Sequence, residues 1–240
     1  MKGNLYWRKS TALFILGCFL ILLVGICFFA IGKCFIAEGI EASNIGNLPL
    51  YNIVIDAGHG GRDGGAIVGE IYEKNINLSL SQKVKEFLEP YNVNVVMTRD
   101  TDTLLCEDDS LHKKRDDLYN RLKLTEKIDS PLFVSIHMNK FPEEKYKGLQ
   151  VFFSPNNADS EALSLLIQQN VKEFIQTDND RQAKKANSSI YLLDRLTCPA
   201  VIVECGFLSN YEDLKNLTDE KYQRKLAFVI ANSIIEFINI

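Results

Sequence analysis

Cysteine is scarce, with six in 240 residues, three of them (Cys18, Cys27, Cys34) in or just after one apolar run. With 46% hydrophobic and 24% charged residues, the composition is that of an ordinary globular protein, which excludes a disulfide scaffold, a collagen-like repeat and a disordered chain. There is no basic excess either. Lys and Arg number 27 against 31 Asp and Glu, and a formal charge of −4 argues against a nucleic-acid binder, which needs a basic face to neutralise phosphates. Internal repeats and low-complexity tracts are absent. So are G-x-G-x-x-G, G-x-x-x-x-G-K-[ST] and G-x-S-x-G, which removes the familiar nucleotide loops and the serine-hydrolase elbow.

What is present divides near Pro49. Ser10 to Gly32 is an uncharged run of 23 residues, preceded by Lys2, Arg8 and Lys9 and followed by Lys33. About 20 helical residues cross a bilayer, and basic residues in front of such a run keep the N-terminus in the cytoplasm. The length favours an uncleaved transmembrane anchor over a signal peptide. Ala30-Ile31-Gly32 nevertheless offers a small-x-small cleavage site, and Leu16-Gly17-Cys18 resembles a lipobox that would leave a second apolar stretch behind. Either way residues 1–9 form a cytoplasmic basic end, 10–32 an anchor or signal segment, 33–49 a linker, and 50–240 a single domain outside the cytoplasm.

In that domain, β-branched runs at Asn52–Asp56, Val93–Thr98, Leu132–Ile136, Leu149–Phe153 and Ala200–Val203 alternate with helical spacing. Ile76, Leu80, Val84, Phe87 and Leu88 share one face. Leu163, Leu166, Ile167, Val171, Phe174 and Ile175 share another, and Tyr222, Leu226, Val229, Ile230, Ile234 and Phe237 a third. A shorter helix is expected within Asp116–Ile128. Pro90 ends the first helix, and Asp159 or Ser160 and Thr218 are the expected N-caps. Strands apolar on both faces, such as Val201-Ile202-Val203, belong to an α/β fold: a mostly parallel twisted sheet with helices on both faces.

Ligands bind beyond the carboxyl ends of strands in such a sheet. Three strands run directly into a chemically active residue there: His59, His137 and Glu204, with Glu73 opening the first helix near the same edge. Two histidines and a carboxylate make a catalytic zinc set with a fourth position open, and a further carboxylate can act as base and then acid. Glu204, at the end of an apolar strand, suits that second role. A strand-end histidine is also a common structural residue, and a strand-end glutamate a common partner of arginine, so residue type alone leaves both readings open. Six of the fourteen glycines fall within residues 58–69, which requires a loop of positive φ or close backbone approach.

Four segments then carry a resemblance. Ile55-Asp56-Ala57-Gly58-His59-Gly60-Gly61, Glu73-Lys74-Asn75-Ile76-Asn77-Leu78, Ser135-Ile136-His137-Met138-Asn139 and Val203-Glu204-Cys205-Gly206-Phe207-Leu208-Ser209-Asn210 resemble, in order, the motifs of the zinc-dependent N-acetylmuramoyl-L-alanine amidases. The resemblance spans about residues 51–240. It implies Zn2+ held by His59, Glu73 and His137, with Glu204 as the catalytic carboxylate. Glu70 competes with Glu73 but lacks the Lys-x-x-x-Leu that follows Glu73 in the motif. Arg99 and Arg121 match recurrent family positions and read as structural.

The implied reaction frees stem peptides from peptidoglycan glycan strands by cutting the muramic acid–L-alanine amide. The bare domain behind an anchor is similar to the amidases of the spore cortex, where the product becomes muramic lactam read by germination enzymes. Membrane attachment through the N-terminal segment and an accessory protein not identifiable from sequence complete the expected partners. A wall peptidase with the same metal and a non-catalytic wall-binding module are the competing readings. Asp56 either orients a ligand histidine or serves the strand. His112 reads as a solvated loop residue, Cys106 as a thiol that could be exposed, and Cys205 as a small core residue too far from Cys198 for a disulfide.

Overall fold

The computed structural model describes residues 51–107 and 110–239. The expected membrane run, linker and cytoplasmic end lie outside them. Among the described residues no helix is long and apolar enough to cross a membrane.

In chain order the elements are β1 (Tyr51–Ala57), β2 (Ile67–Val68), β3 (Ile71–Tyr72), α1 (Glu73–Leu88), β4 (Val93–Met97), α2 (Lys113–Glu126), β5 (Pro131–Asn139), β6 (Gln150–Phe153), α3 (Asp159–Phe174), β7 (Lys184–Lys185), α4 (Tyr191–Arg195), β8 (Ala200–Phe207), α5 (Tyr211–Leu217) and α6 (Glu220–Ile238). Six strands form one sheet in the order β4-β1-β5-β8-β6-β7. Four adjacent strands, β4, β1, β5 and β8, run parallel, and β6 returns antiparallel to β8. Parallel strands need crossover helices, and those helices cover both faces of the sheet.

Neighbouring residues therefore enter different cores. Ile53, Ile55, Val134, Ile136, Val201, Val203 and Cys205 pack under α1, α3 and α6. Val54, Phe133, Ala200 and Ile202 pack on the other face with Leu122 of α2 and Leu192 and Leu193 of α4. On α1 the buried stripe Ile76, Leu80, Val84, Leu88 advances four residues at a time, and the helix stops one residue before Glu89 and Pro90.

Three local expectations are corrected. Asp219, not Thr218, caps α6 by accepting from the Tyr222 N–H at 2.8 Å; the Thr218 hydroxyl donates back to Leu214 at the end of α5. Ala158 occupies the N-cap of α3, while Ser160 instead accepts from the Ala200 N–H at 3.0 Å. Phe174 is 66% exposed, because the stripe Leu163, Ile167, Val171 leads to Ile175 rather than to Phe174.

Candidate metal centre

β1 delivers the chain to Gly58, whose N–H donates to Ile136 O at 3.1 Å and so extends the β1–β5 ladder by one residue. Any side chain at Gly58 would displace the His137 ring, since a Cβ would stand 2.2 Å from it. His59 follows with φ of 62°, a left-handed conformation uncommon outside glycine. Two buried arginines hold that turn. Arg121 donates to Ala57 O and His59 O, both at 2.8 Å, and Arg99 donates to Ala57 O at 2.9 Å and Gly58 O at 3.0 Å. Asn77, one turn into α1, donates to Gly58 O from below. Strain at one residue persists only when its surroundings over-determine it, and these bonds do so.

The side chains converge as the sheet edge requires. His59 Nε2 lies 3.3 Å from Glu73 Oε1, and His137 Nδ1 lies 3.0 Å from the same oxygen. One donor atom from each of the three residues falls within 4.8 Å of the others. Glu73 is oriented by its own bonds: Oε1 accepts from the Met138 N–H, Oε2 from the Ala66 N–H. Gly65, at φ +65°, leaves room for that carboxylate, since a Cβ there would be 2.5 Å from Glu73 Oε2. Glu70 sits exposed in the two-residue turn between β2 and β3 and takes no part.

The donor set fits a metal ion on its own chemistry. His59 Nδ1 is paired at 2.8 Å with Asp63 Oδ2, which leaves Nε2 turned to Glu73. A carboxylate behind a histidine is the usual arrangement that fixes the tautomer and aims the other nitrogen at a metal. Burial works to lower the His59 pKa, but the carboxylates of Asp63 and Glu73 outweigh it and hold the metal-free ring at about 9. Asp63 is held at about 2 by its bond to His59. Burial works to raise Glu73, yet His137 and His59 keep it well below the usual carboxylate range.

Glu204 stands beside this cluster by strand register, its Cα opposite that of His137 on the neighbouring parallel strand. Paired residues on adjacent strands share a sheet face. Its Oε2 is buried without a hydrogen-bond partner among the described residues. Burial pushes its carboxyl above the usual range, His137 opposes and Glu73 adds to the rise. Thus two carboxyl groups of one site are driven in opposite directions.

Arg99 and Arg121 act on backbone carbonyls, as their structural reading requires. Asp56 touches neither histidine. Its carboxylate accepts from Arg121 and Ser135 at 2.6 Å and from Thr98 at 2.7 Å, so of its two open roles the strand role holds. Asp63 and Asn77 are the residues sequence reasoning missed. The signal for Asp63 was there, a carboxylate four residues after His59 inside the glycine cluster. His112 is exposed in front of α2, apart from the cluster. Cys198 and Cys205 are free thiols, and Cys205 is fully buried in the larger core.

A doubly covered, mostly parallel sheet with a His-Glu-His cluster and a half-buried glutamate at its carboxyl edge is an arrangement that can hold a metal ion beside a proton carrier, the equipment of a hydrolase. Residues 53–236 match the family described as N-acetylmuramoyl-L-alanine amidase, and the chain belongs to it. The germination-specific N-acetylmuramoyl-L-alanine amidase of Bacillus subtilis is 35% identical over 196 residues, covering 80% of this chain and 82% of that protein. The CwlD amidase of Clostridioides difficile, solved in complex with the GerS lipoprotein, superposes with a TM-score of 0.76 at 37% identity, over 79% of this chain and 98% of that one. The catalytic domain of CwlV from Bacillus (Paenibacillus) polymyxa var. colistinus gives 0.67 at 30% identity, over 79% and 99%.

Proposed function

We propose that the chain cuts the amide between N-acetylmuramic acid and L-alanine with Zn2+ held by His59, Glu73 and His137 and with Glu204 as the proton carrier. The observation that supports this is the register pairing of His137 with Glu204, which sets an unpartnered, desolvated carboxyl beside a three-donor cluster. Zinc, when bound, supplies a Lewis acid and lowers the pKa of a coordinated water. The chain's own residues do the rest. Asp63 fixes His59 through Nδ1, and Met138, Ala66 and Asn77 fix Glu73. Glu204, made more basic by burial, takes the proton of the attacking water and returns it to the departing L-alanine nitrogen.

The germination amidase of B. subtilis and the CwlD structure support the finer reading: cortex peptidoglycan in a spore-former, acted on outside the cytoplasm. The uncharged run Ser10–Gly32 supports membrane attachment. The GerS complex of CwlD supports a lipoprotein-like accessory partner.

Glu204→Gln should keep zinc and thermal stability while kcat falls by about 10²–10⁴-fold, since Gln cannot take the proton. Joint loss of zinc and activity would make Glu204 a ligand instead. With wild-type protein, released peptides should carry a new N-terminal L-alanine only when metal is present. New termini further along the stem would replace the amidase by a peptidase, and no release at all would leave a wall-binding module.

A further inference from the structure

Gln150 of β6 is the Cα partner of Glu204, so His137, Glu204 and Gln150 form a row across three strands on one face of the sheet. Strands lie about 4.8 Å apart, which puts Gln150 roughly 10 Å from His137 along that row. Above Gln150 lies Arg181. Its Nη1 donates to Gln150 Oε1 at 3.1 Å, its Nε donates to Lys147 O at 2.7 Å, and its guanidinium carbon lies 4.4 Å from the Phe207 ring centroid. Phe207 ends the same strand that carries Glu204. The loop bearing Arg181 is fixed in turn, because Asn179 accepts from the Arg181 N–H and donates to Leu149 O.

Arg181 is thus half-buried, stacked and aimed, yet among the described residues no carboxylate lies within ion-pairing distance and nothing accepts from Nη2. Three other arginines are spent within the fold. Arg121 is paired with Asp56 and Asp117, Arg224 with Glu86, and Arg99 on four carbonyls. A planar fork with unused donors at a fixed distance from a reaction centre matches an external carboxylate. Along an extended peptide, a carboxylate one residue past L-alanine lies about 7 Å from the scissile amide, past the Glu204 position of this row and towards Gln150, whose side chain Arg181 meets. We propose that Arg181 receives the α-carboxylate of the acidic residue following L-alanine in the stem peptide and so selects acidic over amidated stems. This specificity role rests on the amidase reading above.

The test uses the full-length chain carrying Glu204→Gln, loaded with zinc. The probes are N-acetylmuramoyl-L-Ala-D-Glu and its α-amide, both with the γ-carboxyl capped as a methylamide. Calorimetry should show the acid binding about 10–100-fold tighter, the range of a hydrogen bond to a charged group. Adding Arg181→Gln should bring the two to parity by weakening the acid alone, at an unchanged thermal midpoint. Arg181→Lys should recover part of the preference. Equal binding of both probes in the presence of Arg181 would overturn the proposal. So would equal weakening of both by Arg181→Gln, with or without loss of stability, which would make Arg181 a tie for its loop. Discrimination in binding without hydrolysis by the Glu204-containing chain would uphold Arg181 and sink the amidase reading instead.

Discussion

Glu73 and Glu204 are chemically the same side chain, driven to opposite ionisation tendencies by their surroundings. Glu73 is buried among two imidazoles and three N–H donors, which favour its charge; Glu204 is half-buried with its Oε2 out of contact with water and without a hydrogen-bond partner, which disfavours it. Glu73→Ala should therefore empty the zinc site, while Glu70→Ala, altering an exposed turn residue, should bind zinc normally; metal content of the two purified proteins distinguishes them. Asp63→Ala removes the support of His59, together with the bond from the Gly65 N–H, and should weaken zinc by about 10–100-fold, read by competition with a chelator. The metal-free His59 pKa of about 9 lies above the ordinary 6.5, so its proton stabilises the metal-free fold at pH below about 6.5, and that contribution is lost as pH rises through about 9. Zinc competes with this proton. At pH 7 its binding should release about one proton from His59, falling towards none above pH 9, measurable by calorimetry in buffers of different ionisation heat.

Elements rather than single residues bring the set together. α1 begins at Glu73 and sends Asn77 back one turn later to Gly58 O and Glu73 Oε1, so its start and first turn brace both the turn after β1 and the Glu73 carboxylate. The β5–β8 register puts His137 opposite Glu204, and a slip of one residue would turn one of them to the other face of the sheet. Close approach of β1's exit to β5 is what Gly58 permits. Gly58→Ala should push the His137 ring aside, costing about 1–3 kcal/mol of stability from overpacking and lowering zinc occupancy beyond what the stability loss explains. Thermal melts and metal analysis of the same sample check both parts.

On the scale of the whole molecule, a buried charge network ties sheet, α2 and site loop into one unit. Arg121 is bonded to Asp56, Asp117, Ala57 O and His59 O, and is among the largest fully buried side chains. Burial works to raise Asp56, but Arg121, Ser135 and Thr98 overcome it and hold the carboxyl below its ordinary 3.8. A depressed pKa means stability that is complete above about pH 4 and lost as pH falls through the folded value. Arg121→Met leaves Asp56 buried without its cation and should cost about 3–5 kcal/mol, a penalty that shrinks in acid as Asp56 is protonated. Zinc acts at the same scale. At a hundredfold excess over its Kd it should stabilise the chain by about 2.7 kcal/mol, or roughly 5–10 °C in Tm, and a chelator should reverse this.

Much of this was legible along the chain because it depends on local pattern. The alternation of two cores appears as Val201-Ile202-Val203, the stripe on α1 as a spacing of four, and the common edge of His59, His137 and Glu204 as strands ending in active residues. The preference for Glu73 over Glu70 rests on motif context; Glu73 lies in the His-Glu-His cluster and Glu70 in an exposed turn. Other features depend on atoms far apart in sequence. No spacing rule told that Asp63 rather than Asp56 backs His59, because strand direction sends Asp56 to Arg121 while the loop folds Asp63 onto the ring. Nor could it place Arg181 over Phe207 beside Gln150, since that meeting needs β6 to return antiparallel to β8 and the loop after α3 to be pinned by Asn179. Periodicity determined which residues are inside and at which sheet edge they emerge; the tertiary structure decided which polar groups meet there, because hydrogen-bond partners are set by distances that only packing fixes.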